Sequence, residues 1–181
     1  MKKYIISKET LKKAEARAET LPLLKNSIRR GKGAIVAYLG EAVVKRVLSG
    51  EIEDTYDYDI VYGDGIKVDV KTKERTRVPE LPWYLDWNCT VADFNIKQKC
   101  DEYAFVSVLN DYSAAWFLGK ISKEEFYKKA KFYKAGELDP SSPPSKPWNF
   151  KADCYNVTVE ELISISNLEN LTEPSYEGGH Y

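Results

Sequence analysis

Residues 55–73 read Thr55-Tyr-Asp-Tyr-Asp-Ile-Val-Tyr-Gly-Asp-Gly-Ile-Lys-Val-Asp-Val-Lys-Thr-Lys73. Two runs of alternating character flank Gly63-Asp64-Gly65, and a glycine-containing link of this length predicts a β-hairpin. Side chains in a strand alternate between faces, so the runs can be sorted by parity. Ile66, Val68 and Val70 share one face; Lys67, Asp69, Lys71 and Lys73 share the other. With the turn centred on Asp64, Asp59 falls opposite Asp69 and Asp57 opposite Lys71. Tyr58, Ile60 and Tyr62 then lie across from Val70, Val68 and Ile66. One face is an apolar core layer, and the other carries two facing carboxylates with a lysine two residues on. A slip of one residue would split the aspartates between faces.

The rest of the composition narrows the chemistry. The 181 residues fit one domain with a sizeable core. Hydrophobic residues at 43% and charged residues at 30% are those of a soluble globular chain. No apolar run reaches the length of a membrane span, and the opening Met-Lys-Lys-Tyr-Ile-Ile-Ser-Lys lacks a signal peptide's apolar region. The expectation is a cytoplasmic protein with no membrane partner, in the host cytoplasm if the chain is phage-encoded. Cys89, Cys100 and Cys154 are few and widely spaced, which predicts neither a disulfide framework nor a zinc site. The single histidine, His180, lies next to the end of the sequence, so histidine-based acid–base chemistry is not expected. A catalyst here would have to work with carboxylates and lysine, with or without a metal.

Charge is unevenly spread. Residues 1–46 hold twelve Lys/Arg against four Glu, in a chain of formal net charge −1. Such a basic arm reads either as a polyanion footprint or as a solvated helical face. Within it, a helix is predicted over 8–20, with Ser7 as N-cap and Leu11, Ala14, Ala18 and Leu21 as its stripe. A basic link follows, carrying Arg29, Arg30 and Lys32. A second helix is predicted over 34–49, closed by Gly50, with Ile35, Leu39, Val43 and Val47 repeating every four residues. Glu41 lies off that line. It reads either as an exposed partner of Lys45 or as a carboxylate at the helix edge, facing the hairpin's polar side.

Beyond the hairpin, residues 74–87 mix Arg75 and Arg77 with Trp83, Tyr84 and Trp87. Cations among aromatics suit phosphate contact and base stacking, and they equally suit a loop whose rings cap the core. A short helix is predicted over 92–100, carrying Gln98. Tyr103–Leu109 is almost continuously apolar and predicts a strand buried on both faces. A turn at 110–113 leads to a strand over 114–118. Ser122 and Glu125 form a capping box for a helix over 123–133, and Thr158 and Glu161 form a second. Between them, the proline-rich residues 134–149 predict an irregular loop and 154–157 a short strand. The fold class is α/β (α+β), a mixed sheet between helices, in one domain over 1–181.

Glu41 on a helix, Asp59 in an Asp-Ile-Val strand and Asp69-Val70-Lys71 on the next strand resemble the PD-(D/E)XK nuclease superfamily. The resemblance covers about residues 33–120, with residues 1–32 as a basic arm and 121–181 as an extension. Gln98, ahead of Asp101-Glu-Tyr-Ala-Phe-Val106, is similar to a polar position that many members carry. The Trp116–Phe126 segment is similar to sequence that follows the core in small phage or restriction-type members. No proline precedes Asp59, where Tyr58 stands, and the second carboxylate is aspartate rather than the commoner glutamate.

The resemblance implies a restriction-endonuclease-like fold and a metal-dependent nuclease, an endonuclease more than an exonuclease, with DNA as substrate. Asp59, Asp69 and Glu41 would supply hard oxygen ligands for Mg²⁺, with Mn²⁺ able to substitute and the Val70 carbonyl as a further ligand. Lys71 would orient water or offset developing charge, and Gln98 would assist it. Arg29, Arg30, Lys73, Arg75 and Arg77 would follow the nucleic-acid backbone. Cutting both strands would favour a homodimer. The alternatives are a non-catalytic nucleic-acid-binding module on the same fold and an interaction protein whose acidic face is incidental.

Overall fold

The hairpin organises the larger of two sheets. In the computed structural model, which describes residues 2–20, 33–53 and 55–163, β3 (Ile60–Tyr62) and β4 (Ile66–Arg75) pair antiparallel. Ile60 lies opposite Val68 and Tyr62 opposite Ile66, so the register is centred on Asp64. Gly63 and Gly65 take positive φ angles of 53° and 92°, as a tight connection between right-twisted strands demands.

The ladder stops earlier than the alternation suggests. Thr55 Oγ1 accepts from the N–H groups of Asp57 and Tyr58 and donates to the Tyr58 carbonyl. A threonine that satisfies the backbone locally competes with strand pairing. Asp57 therefore does not face Lys71, but accepts from the Lys99 N–H at 3.1 Å. Tyr58 packs on the opposite side of the sheet from Ile60.

Around this hairpin the sheet runs β1 (Lys2–Ile5), β7 (Ala114–Ser122), β6 (Glu102–Leu109), β4, β3 and β2 (Glu51–Ile52). β4 and β6 are parallel, with Asp69 beside Tyr103 and Lys71 beside Phe105; the other neighbours are antiparallel. A second, antiparallel sheet takes β8 (Lys131–Tyr133), β9 (Cys154–Thr158) and β5 (Asn88–Ala92), with β9 central. The protein is thus mixed α/β, compatible with the α+β expectation.

Each face of the larger sheet has its own core. On one, α1 (Lys8–Thr20) and α2 (Ala34–Leu48) cover Ile60, Val68, Val70, Ala104, Val106 and Val108. On the other, the second sheet and α3 (Lys123–Lys129) cover Tyr103 and Phe105, with Phe126 fully buried against both rings. β6 is buried on both faces, as its apolar run requires. Asp69 and Lys71 point to the Tyr103 side by strand parity.

Several boundaries differ from the sequence reading. α2 ends in Ser49, which takes the left-handed conformation at φ 52°, rather than in Gly50. Gly50 is required for space, since a Cβ there would sit 2.7 Å from Ile60 and 2.8 Å from the Val61 carbonyl. The helix expected over 92–100 is a short 3-10 turn, Asp93–Lys97, and Gln98 is already extended. The helix from Lys123 stops at Lys129 because residues 131–133 pair with β9. The Thr158 capping box closes in both directions, Glu161 accepting from the Thr158 N–H and Thr158 from the Glu161 N–H. At Ser122 only the side chain accepts, from the Glu125 N–H, and the Glu125 carboxylate pairs with Lys128. No helix among the described residues is long and apolar enough to cross a membrane.

Candidate active site

Asp59 sits one residue before β3, held there by its own backbone. Its N–H donates to the Val68 carbonyl at 2.9 Å, and its carbonyl accepts from Glu53 at 2.8 Å. From this position the side chain reaches across to β4, where Oδ2 accepts the Val70 N–H at 2.7 Å. Burial pushes the Asp59 carboxyl well above the usual carboxylate range. Asp69 and then Glu41 push it further, against the Val70 hydrogen bond and Lys71. Asp59 therefore lies within electrostatic reach of both other carboxylates that the sequence singles out.

Asp69 is 3% exposed. Its Oδ2 meets Lys71 Nζ at 2.6 Å, two residues along the same face of β4. Lys71 Nζ also lies 3.5 Å from Gln98 Oε1, and Gln98 Nε2 donates to the Tyr56 carbonyl at 2.8 Å. Gln98 thereby ties the 55–58 turn to Lys71. Lys123 fixes the same segment by donating to the carbonyls of Ile96 and Gln98. Val70, between Asp69 and Lys71, buries its side chain under α2 and gives its N–H to Asp59.

Glu41 is not an exposed partner of Lys45. It is 6% exposed and accepts from Arg17 of α1 at 2.8 Å, whereas Lys45 pairs with Glu51 at 2.6 Å. Arg17 also stacks 4.1 Å over the Tyr38 ring. The approach of α2 to the sheet depends on Gly40, since a Cβ there would meet Thr72 Oγ1 at 1.9 Å. The residue beside Glu41 thus sets how closely Glu41 comes to β4. Arg17 was not singled out by the sequence, because nothing local distinguishes it from the other basic residues of the arm.

The cations read as nucleic-acid contacts are placed differently from one another. Lys73 turns inward, donating to the Asn88 carbonyl at 3.0 Å and to Thr90 Oγ1 at 2.6 Å. Burial, with Arg75 adding, lowers its pKa to about 8. Arg75 lies 4.1 Å over Trp87 with Nε 3.5 Å from Ser107 Oγ, and burial lowers it to about 10. Both point between the two sheets rather than along an open face, because the second sheet covers that side of β4. Tyr84 and Trp87 cap the core, whereas Arg77 is exposed and Trp83 is 74% exposed. Arg29 and Arg30 lie outside the described residues. The three cysteines are free and buried, and burial pushes the Cys89 thiol up to about 12, which makes it a poor nucleophile.

Glu41, Asp59 and Asp69 form a hard-oxygen donor set, and the two others make the Asp59 anion unfavourable. A hard divalent cation would relieve that repulsion, so the residues fit such an ion chemically. As the side chains stand, Glu41 is turned to Arg17 and Asp69 to Lys71. Among the described residues, no three His, Cys, Asp or Glu groups converge closely enough to hold an ion. Compared with protein-family models and with curated proteins, the chain matches none.

Proposed function

We propose that the protein is a metal-dependent phosphodiester hydrolase acting on DNA, built on a restriction-endonuclease-like arrangement of helix, hairpin and parallel strand. The observation that carries this reading is the surroundings of the buried Asp59 carboxyl. It is bonded to the Val70 backbone and pushed up by Asp69 and Glu41, beside a lysine paired with Asp69. A solvated strand pair gains nothing from facing carboxylates. The succession α2, β3, β4 and parallel β6 supports the fold expected from the resemblance.

In this reading Asp59 and Asp69, with Glu41 and the Val70 carbonyl, would hold Mg²⁺ or Mn²⁺. The bound ion would polarise the phosphate and lower the pKa of a bound water. The chain's own groups do the positioning. Asp69 fixes Lys71 Nζ at 2.6 Å, and Gln98 approaches it from the other side. The lysine thereby presents a fixed cationic donor to charge that develops on the phosphate. The Val70 N–H fixes the Asp59 rotamer before substrate arrives.

Supercoiled plasmid and single-stranded DNA, each incubated with Mg²⁺, Mn²⁺ or EDTA, test the proposal. It expects cutting with either metal and none with EDTA. A non-catalytic binding module is the second reading, favoured by the pairing of Glu41 and Asp69 with cations of the chain itself. It expects salt-sensitive DNA binding without cutting under any condition.

A further inference from the structure

The guanidinium at Glu41 comes from outside the hairpin and its flanking helix. Arg17 lies in the last turn of α1, with Nη1 2.8 Å from Glu41 Oε2 and its planar group 4.1 Å over Tyr38. Tyr38 and Glu41 are three residues apart on α2, so ring and carboxylate are neighbours on one helical surface. The Glu41 side chain is 8% exposed and the Arg17 side chain 24%. A charge-assisted hydrogen bond so enclosed is stronger than one at the surface, yet a buried ion pair is weak evidence of a stabilising role. α1 has an apolar attachment of its own through Leu11, Ala14 and Ala18, which pack into the core with α2.

We infer that Arg17 is an exchangeable counter-ion of the acidic site: its guanidinium and a divalent cation compete for Glu41, so helix α1 sets the cation affinity of the site. This rests on the proposed reading that Glu41 belongs to a cation-binding set. A hard cation draws carboxylate oxygens to about 2.0–2.6 Å and needs their lone pairs, one of which Arg17 engages. Even where both fit on one carboxylate, a dication beside a guanidinium is repelled. Binding of the ion therefore competes with Arg17 for Glu41, and the Tyr38 ring, 4.1 Å from the guanidinium, seats that group at the carboxylate.

The test is equilibrium binding of Mn²⁺ to the full chain, followed by loss of the free-ion paramagnetic resonance signal. It compares the unsubstituted protein with Arg17→Ala, Arg17→Gln and Arg17→Lys, each checked by circular dichroism. Removing the charge is expected to tighten Mn²⁺ binding about tenfold, the scale of one hydrogen bond between charged groups. Arg17→Lys is expected to stay near the unsubstituted protein. Tyr38→Leu, which removes the ring that seats the guanidinium, should tighten binding by a smaller factor.

Equal or weaker Mn²⁺ binding by Arg17→Ala and Arg17→Gln overturns the inference. So does loss of fold in both, which would make Arg17 structural, and so does absence of Mn²⁺ binding in every form. DNA cutting is read separately. Cutting combined with unchanged Mn²⁺ affinity in the charge-removing variants sinks the competition alone. Tightened Mn²⁺ binding without cutting keeps the competition and sinks the nuclease reading.

Discussion

Substituting Gly40 by alanine tests whether α2 is seated on β4 as described. In a helix interior the change from glycine to alanine alone favours stability by about 1 kcal/mol. Here the added Cβ would lie 1.9 Å from Thr72 Oγ1 and 2.9 Å from Thr72 Cβ and Cγ2. Ordinary contact begins near 3.4 Å, so α2 must withdraw by about 1.5 Å or Thr72 must leave its rotamer. Overpacking of this kind costs up to about 3 kcal/mol, and the net is a loss of about 2 kcal/mol. For a chain of this size that lowers Tm by roughly 4–8 °C. Urea unfolding of Gly40→Ala, Thr72→Ala and the double variant measures it. The double variant should recover part of the loss, because Thr72→Ala removes Oγ1 and Cγ2 and leaves only Cβ, at 2.9 Å, against the new methyl. A Gly40→Ala variant as stable as the original, or a double variant with additive losses, would refute the seating of α2 and the position of Glu41 that depends on it.

Asp59→Asn is expected to raise stability at neutral pH while removing cutting. The native carboxyl is pushed up by burial and by two neighbouring carboxylates, so its ionisation is a cost that the amide avoids, and the amide oxygen can still accept from Val70. The gain should vanish in acid, where the native carboxyl is protonated, and an urea titration across pH would show it. Lys73 has the reverse dependence in sign. Its folded pKa of about 8 lies below its ordinary value of 10.5, so the unfolded chain binds the extra proton between those values. Stability relative to Lys73→Met should therefore rise from about pH 8 to pH 10.5, by on the order of 3 kcal/mol at most. A flat difference across that window would contradict the enclosure of the amine. Gln98→Ala should slow cutting by about tenfold to a hundredfold, since it loosens Lys71 without removing it; no effect on rate would exclude Gln98 from positioning.

The register of the hairpin could be read before folding because two signals agree there: glycines at the turn and apolar residues on one parity. β6 was equally legible, since an apolar run of that length has to be covered on both sides. The short strands β1, β2, β5 and β8 were not, because two to five residues carry little pattern and their pairing is decided by partners elsewhere in the chain. Parity placed Lys73 on the polar face with Asp69 and Lys71, but could not reveal that a second sheet lies over that end of the face, where β4 also carries Arg75, expected beyond the hairpin. Asp57 shows the opposite limit, since a threonine side chain ended the ladder that alternation alone would have continued. Glu41 was legible as a residue off the apolar line of α2, and its burial against Arg17 was not, because that contact joins two helices. The pairing of Asp69 with Lys71 follows from strand parity, whereas the approach of Gln98 depends on the contacts that hold the 55–58 turn.

In the proposed site Asp59, Asp69 and Lys71 act together on a phosphodiester bond. Single-turnover cutting of DNA with Mg²⁺, comparing the unsubstituted protein with Asp69→Asn and Lys71→Met under conditions where all three are folded, tests it most directly. A metal-dependent rate is expected, lowered by each substitution by at least about a hundredfold, the scale of a lost transition-state donor. Cutting at an unchanged rate in either variant would contradict it.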